Sequence, residues 1–168
     1  MPDLLTHTLA NVALGAGTLE RRRALTFIVG GVLPDFLARV PGLVLSRVVQ
    51  PLVLERGIDL EAGIKGSGAL HLPLGYLLAC GVLALALPSR LLFGLPRRDV
   101  FGLLFLGGCV HLVLDLCQRH VRPSYIYLYP FSLERFELGL WDADLAFVSW
   151  PVLVPLAWWA WRRGQRTT

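Results

Sequence analysis

The amino-acid sequence predicts a single all-α domain over residues 1–168, a polytopic membrane helical bundle of about five helices with no sheet. Hydrophobic residues make up 55% of the 168-residue chain and charged residues only 17%, whereas about a quarter of the residues in a soluble domain are charged. This composition excludes a disordered chain, which needs low hydrophobicity and high charge. Three apolar runs are long enough to span a bilayer, and helices satisfy their own backbone groups within lipid.

The first two predicted helices are shorter than a full span. Leu4 to Leu19 is mildly apolar, and Ala24 to Ala38 is strongly apolar until the Pro34-Asp35 pair. Three arginines at 21–23 separate the two segments. The pattern predicts a tight helical hairpin whose second helix ends at Pro-Asp, a pair that is typical of a helix stop.

The stretch from residue 39 to residue 68 is predicted to be an interfacial helix followed by a loop. Arginines are spaced among Leu and Val from Pro41 to Arg56, as in a helix that lies in the plane of the membrane interface. Residues 57–68 contain four glycines, which indicates a loop.

Three longer runs follow and are predicted to span the membrane: Ala69–Leu87, Val100–Gln118 and Ala143–Trp161. A helix of 19 residues reaches about 28 Å, close to the thickness of a hydrocarbon core. The last run ends in tryptophans before Arg162 and Arg163, an order that is typical of an interfacial anchor.

The distribution of basic residues predicts the orientation. With five helices, residues 20–23, residues 88–99 and the C-terminal tail lie on one side and hold nine of the 16 Lys and Arg. The other side, residues 39–68 and 119–142, holds seven. Because positive charge near helix ends favours the cytoplasmic side, we expect a multi-pass membrane protein with its N-terminus outside and its C-terminus in the cytoplasm. The net charge of +4 then reports topology, and no nucleic-acid partner is expected.

Ionisable residues within predicted helices are the most informative feature of the chain, because each is costly in lipid unless it is paired or hydrated. Helices alternate in direction, so residues at the start of the first, third and fifth helices and at the end of the second and fourth share one membrane face. Seven ionisable residues therefore share the predicted extracytoplasmic face: His7, Asp35, His71, His111, Asp115, Asp142 and Asp144.

A divalent metal is the cofactor that these residues favour. His111 and Asp115 are spaced i, i+4 and project from one helix face, as a pair of metal ligands does. Three imidazoles and two carboxylates suit zinc first and then manganese or iron, with metal ligands His7, Asp35, His71, His111 and Asp115. Each residue also has a simpler explanation: a hydrogen-bonded polar pair, an interfacial histidine, a helix stop or a solvated terminal histidine.

A loop over the site is predicted from residue 119 to residue 142. Arg119, His120 and Arg122 follow the fourth helix and form a candidate substrate-binding set, because arginine makes bidentate contacts to phosphate. A solvated basic loop is the alternative. Pro130-Phe131-Ser132 is expected to form a shaped turn in the same loop.

The motifs Thr6-His7, Leu33-Pro34-Asp35, His71, the His111–Asp115 pair and Tyr129-Pro130-Phe131 together resemble the membrane-bound, metal-dependent hydrolases of bacteria and archaea, over residues 4 to about 132. The resemblance implies a small inner-membrane protein with a metal site built from His7, Asp35, His71, His111 and Asp115. It also implies hydrolysis with a phospholipase-C-like activity. The chain departs from the family pattern around His71, where the family carries Arg and Thr before the histidine and Ser after it.

The function expected from the sequence is that of a metal-dependent hydrolase acting on a phosphoester or lipid-like substrate at the extracytoplasmic face, among membrane lipids. The metal would activate water, and the catalytic Asp35 or Asp115 would serve as ligand or general base. Two alternatives stay open. One is a non-enzymatic metal-binding membrane protein, and the other is a structural membrane protein whose polar residues hold its helices together.

Overall fold

The computed structural model describes residues 4–51, 67–88, 91, 93–119 and 126–166. Most of these residues are helical, and the prediction of a mainly α-helical fold with five helices is confirmed. The α-helices within the described ranges are α1 (Leu4–Thr18), α2 (Arg21–Val44), α3 (Pro73–Ala86), α4 (Arg97–Cys117) and α5 (Trp150–Arg166).

The second helix continues well past Asp35, so the prediction that it ends at Pro34-Asp35 is wrong. Pro34 and Pro41 lie inside α2, and a π-helical segment, Leu45–Val49, extends it further. A proline within a helix removes one backbone hydrogen bond without necessarily ending the helix, and Pro34 is fully buried between neighbouring helices. Residues 41–51 therefore continue α2 rather than starting a separate helix, while residues 52–66 of the predicted loop lie outside the described residues.

The third and fifth helices begin later than predicted. A 3₁₀ turn at Ser67–His71 precedes α3, and Leu72 between them has an extended backbone. The break follows from Pro73, which favours the first turn of a helix and pushes the preceding residue out of the helical region. A second 3₁₀ segment, Ala143–Ser149, likewise precedes α5. The α3 helix is 14 residues long, which is short for a membrane span.

Within the described part of the chain, two helical stretches are long and apolar enough to cross a membrane by length and composition: Arg21–Val49 and Arg97–Cys117. They are α2 with its π-helical extension, and α4. Together they form the centre of the fold, because α1 packs against α2 and also contacts α4, α5 packs against α1, and α3 packs against α4.

Glycines bring the backbones of α2 and α4 into direct contact. A Cβ atom on Gly107 would lie 2.0 Å from the carbonyl oxygen of Phe27, and one on Gly30 would lie 2.3 Å from the carbonyl oxygen of Leu104. Both distances are far below van der Waals contact, so only glycine permits this approach. Small residues serve the same purpose where helices pack closely within membranes.

Tyr76 attaches α3 to the contact between α2 and α4. Its ring occupies the space beside Gly108, where an added Cβ would lie 1.9 Å from a ring carbon. Its hydroxyl lies 2.9 Å from the carbonyl oxygen of Gly30 and 2.7 Å from that of Leu104, and can donate to either. A buried tyrosine on α3 therefore contacts a carbonyl of α2 and a carbonyl of α4.

A short strand pair was not expected from the sequence. Strand β1 (Gln118–Arg119) runs parallel to strand β2 (Trp141–Asp142). Just before β2, the amides of Leu138 and Leu140 donate to the carbonyl oxygens of Leu116 and Cys117, each at 2.7 Å. The last carbonyls of a helix have no partner within it, so the returning segment supplies donors to the end of α4.

We expect Gly107→Ala to destabilise the protein by about 1–3 kcal/mol, the usual range for overpacking a tight interface, because the new methyl group would meet the backbone of α2. Gly102→Ala is the matched control on the same helix, since a Cβ there has no neighbour within 4 Å. The control should be neutral or stabilising by up to about 1 kcal/mol. Thermal unfolding of the purified variants measures both effects, and equal stability of the two variants would contradict the close crossing.

Candidate metal centre

Five buried side chains from four segments of the chain meet at one end of the helical core. His7 lies in the first turns of α1, Asp35 in the middle of α2, and His71 at the end of the 3₁₀ turn before α3. His111 and Asp115 lie in the last turns of α4. Their side chains are between 0% and 10% exposed, so water contributes little to the solvation of the two carboxylates. We call these five residues the His/Asp cluster.

Three ligand atoms of the cluster form a nearly equilateral triangle. The Nε2 atoms of His71 and His111 are 3.0 Å apart. Asp115 Oδ2 lies 3.1 Å from the first and 3.3 Å from the second. A tetrahedral zinc ion with ligands at about 2.0–2.1 Å separates its ligand atoms by about 3.3 Å. The triangle is therefore close to one face of a tetrahedral coordination site.

The backbone of α2 fixes the orientation of the His111 ring. His111 Nδ1 lies 2.8 Å from the carbonyl oxygen of Gly31. A carbonyl oxygen only accepts hydrogen bonds, so Nδ1 carries the proton and donates it. The neutral ring then presents the lone pair of Nε2 to the cluster, the arrangement that metal-ligating histidines adopt when their other nitrogen is held by a carbonyl.

The His7 ring completes the cluster from α1. It stacks on His111 with ring centroids 4.0 Å apart, and its Nε2 lies 3.2 Å from Asp115 Oδ1. The contact between His7 Nε2 and Asp115 Oδ1 does not have hydrogen-bond geometry. Neither ring nitrogen of His7 has a hydrogen-bond partner among the described residues. A polar atom buried without a partner is uncommon in proteins and is explained where an ion or water is bound beside it.

Asp35 lies at the edge of the cluster and has a basic partner. Its Oδ1 is 3.6 Å from His71 Nε2 and 3.0 Å from a terminal guanidinium nitrogen of Arg39, one turn further along α2. When the histidines act as neutral ligands, the two carboxylates carry two negative charges, and Arg39 is the one Lys or Arg among the described residues that contacts either of them. Uncompensated charge is strongly unfavourable in a buried site, so the cluster favours a bound cation.

The structure thus brings together the five sequence-predicted ligands in two overlapping groups that could hold a metal ion: His7, His111 and Asp115, and Asp35, His71 and His111. Within each group the ligand atoms lie within 4.8 Å of one another. His111 belongs to both groups, so its ring is the structural centre of the cluster.

Of the three predicted substrate-binding residues, only Arg119 lies within the described residues. Arg119 lies in β1, where its guanidinium is 3.8 Å from Asp142 Oδ1 and lies against Gly139. Asp142 is thus placed in this exposed ion pair. His120 and Arg122 lie outside the described residues, and the side chain of Asp144 is not described. Residues 127–131 form a turn, and Tyr127 donates to the carbonyl oxygen of Leu112 at 3.4 Å, which attaches this loop to α4.

Sequence reasoning missed four residues beside the cluster or next to its ligands in the chain. Asn11 is fully buried, donates to the carbonyl oxygen of His7 at 2.9 Å, and occupies the space beside Gly31. Gln118 is fully buried with no hydrogen-bond partner for its amide in the described part of the chain. The i, i+4 spacings of Asn11 from His7 and of Arg39 from Asp35 could have indicated these contacts from the sequence. No sequence signal indicated the contact of the Gly31 carbonyl.

No family model, curated protein or solved structure matches this chain. The likeness to membrane-bound metal-dependent hydrolases therefore rests on the motif residues themselves. What the structure adds is the distance geometry around His111 and Asp115, which does not depend on any relative.

We expect the purified protein to bind a divalent metal ion, and we expect His111→Ala or Asp115→Asn to lose it. Removing one ligand deletes a coordinate bond, and in His111→Ala it also leaves Asp115 with less compensation, so affinity should fall by well over tenfold. Asp142→Asn is the matched control, because this exposed carboxylate contacts Arg119 outside the cluster. Elemental analysis and zinc titration measure the outcome.

His120→Ala, a change beyond the end of α4, should also leave the metal bound. If the double variant His111→Ala with Asp115→Asn retained the wild-type metal stoichiometry, the cluster would be a set of packing contacts between helices.

Proposed function

We propose that this protein is a membrane-bound, metal-dependent hydrolase that acts on a phosphoester or lipid-like substrate. The observation that carries the proposal is the convergence of three imidazole nitrogens on the Asp115 carboxylate in a buried site. Nitrogen–oxygen sites of this composition suit zinc, with manganese or iron as alternatives. A bound ion of this kind polarises a phosphoryl oxygen and lowers the pKa of coordinated water.

The geometry favours different roles for the two carboxylates. Asp115 lies within 3.1–3.3 Å of all three histidines, so it is the better candidate for a permanent ligand. Asp35 contacts His71 at 3.6 Å and is otherwise paired with Arg39 at the edge of the cluster. We assign Asp35 as the general base that would accept a proton from an attacking water, since a general base must lie beside the reacting group, within hydrogen-bond reach of the proton that it accepts.

Exposed apolar faces support a membrane location. In the most apolar window of α2 only 22% of residues are buried, and in that of α4 only 39%, whereas the core helix of a soluble protein is mostly buried. Their exposed apolar side chains include Val29, Phe36, Leu43, Leu106 and Val113. Such surface needs a lipid or protein environment. We place the protein as a multi-pass protein of the inner membrane.

The distribution of arginines along the helices supports one orientation of the site. The first residues of α2 and α4 are arginine-rich, and so are the last turns of α5. The His/Asp cluster lies towards the opposite end of α4, in its last turns. Because basic residues favour the cytoplasmic side, we propose that the cluster faces the extracytoplasmic side.

A metal-binding protein without hydrolytic activity is the second candidate, and the burial of the cluster favours it. A catalytic metal keeps an open position for water or substrate, and every ligand side chain here is at most 10% exposed. Turnover separates the two functions, because both require the same ligands.

We expect the metal-loaded protein to hydrolyse a phosphodiester or phospholipid substrate, and we expect a chelator to abolish the reaction. Asp35→Asn should lower kcat by about 10²–10⁴-fold, the usual contribution of a general base, while the metal stays bound. Asp142→Asn should retain full activity. Metal binding without turnover of any phosphoester would favour the second candidate.

Reporter fusions test the orientation. A fusion after Arg166 should report a cytoplasmic location, and a fusion at residue 133 or 134 should report an extracytoplasmic one, since basic residues near helix ends are retained in the cytoplasm. Replacing Arg21, Arg22 and Arg23 with glutamine should weaken this preference. An extracytoplasmic C-terminus would reverse the assignment of the site face without affecting the contacts within the cluster.

A further inference from the structure

Arg39 reaches the His/Asp cluster without being one of its candidate metal ligands. Its guanidinium lies 3.0 Å from Asp35 Oδ1, and its side chain is 41% exposed, while the Asp35 side chain is 10% exposed. The arginine therefore extends from the outer surface of α2 to the edge of the buried cluster.

The net charge of the metal-loaded cluster favours the binding of an anionic ligand. The carboxylates of Asp35 and Asp115 carry two negative charges and Arg39 carries one positive charge. Adding a divalent ion leaves one net positive charge in a site with little access to water. A bound anion such as a phosphoester neutralises this excess, and opposite charges attract strongly where the surroundings are poorly polarisable.

The guanidinium group of Arg39 is chemically suited to binding an anionic phosphoester. Arginine offers five N–H donors in a planar fork that matches two phosphate oxygens. Its contact with Asp35 is made through one terminal nitrogen, 3.0 Å from Oδ1. Among the described residues no second acceptor contacts the guanidinium, so one edge of the fork can bind another acceptor. The other arginines with described ion pairs lie elsewhere. Arg119 contacts Asp142, and both Arg23 and Arg98 contact Asp99 near the start of α4.

The surface around Arg39 is apolar. Phe36, Val40 and Leu43 are all exposed, at 55%, 36% and 59%. With Arg39 they follow the i, i+3, i+4, i+7 spacing of a single helix face. A molecule whose anionic group reached Arg39 would thus lay an adjoining hydrocarbon chain against these side chains.

We propose that Arg39 binds the phosphoryl group of the substrate, and that the face formed by Phe36, Val40 and Leu43 binds its hydrocarbon chain. The substrate class is then a phosphoester that bears an alkyl or acyl chain. This inference rests on the proposed function, because the phosphoryl group must also reach the metal. Arg39 is a substrate-binding residue in this assignment and is not a metal ligand.

The experiment is a calorimetric titration of the zinc-loaded, detergent-solubilised protein with inorganic phosphate and with n-hexyl phosphate. Arg39→Gln should weaken the binding of both by at least about tenfold, because two charge-assisted hydrogen bonds are lost. Arg39→Lys should recover part of the loss, since it keeps the charge without the fork. Arg47→Gln is the matched control, an exposed arginine two turns further along the same helix, and should bind both probes within twofold of the wild type.

Elemental analysis of each variant separates the possible failures. If Arg39→Gln keeps its zinc and binds phosphate as the wild type does, the assignment of Arg39 is overturned while the metal site stands. If the wild-type protein binds no metal, the proposed function and this inference both fail.

The two probes distinguish a lipid-like substrate from free phosphate. We expect n-hexyl phosphate to bind at least about tenfold more tightly than inorganic phosphate, because each buried methylene is favourable. The double variant Phe36→Ala with Leu43→Ala should reduce this preference without changing the affinity for inorganic phosphate. Equal affinity of the wild type for the two probes would overturn the assignment of the apolar face.

Discussion

The contact between the backbones of α2 and α4 is the constraint on which the rest of the structure depends. Gly30 and Gly107 allow a separation that any side chain would prevent. At this separation the carbonyl of Gly31 reaches the Nδ1 atom of His111, and the neighbouring carbonyl of Gly30 reaches the Tyr76 hydroxyl. A packing feature of two apolar helices therefore orients a functional ring and also attaches α3. Widening the crossing by one methyl group would disturb the fold and the cluster together.

Charge balance at the His/Asp cluster is the second constraint, and it follows from the first. The helices deliver two carboxylates and three histidines to one buried place, while the described ion pairs supply a single basic partner, Arg39. Proteins tolerate such a site when a cation or a set of protons completes it. A metal would therefore stabilise the folded state as well as supply chemistry, because the unfolded chain has no preformed site.

The sequence predicts the five helices and the end of the bundle at which the ionisable residues meet, because apolar length and alternating direction are properties of the chain alone. It does not predict the continuation of α2 through Pro34, since the buried packing that tolerates a proline comes from neighbouring helices. Pro73 was a readable signal for the late start of α3. The role of the Gly31 carbonyl depends on a distance between two helices, which no spacing rule supplies. The i, i+4 spacing of Arg39 from Asp35 was, by contrast, a readable signal.

The length of α2 connects the cluster to the membrane proposal. From Arg23 to Asp35 the helix rises about 18 Å, and from Arg23 to Arg39 about 24 Å, both less than the roughly 30 Å of a hydrocarbon core. If the first turn of α2 lies at one interface, Asp35 lies within the hydrocarbon depth and Arg39 lies closer to the opposite interface. A water-soluble ester would have to leave bulk water to reach a metal held at that depth, which is unfavourable for its polar groups. A phosphoester attached to a hydrocarbon chain would already lie in the bilayer at a depth near that of the cluster. Its chain could then pack against the apolar face beside Arg39.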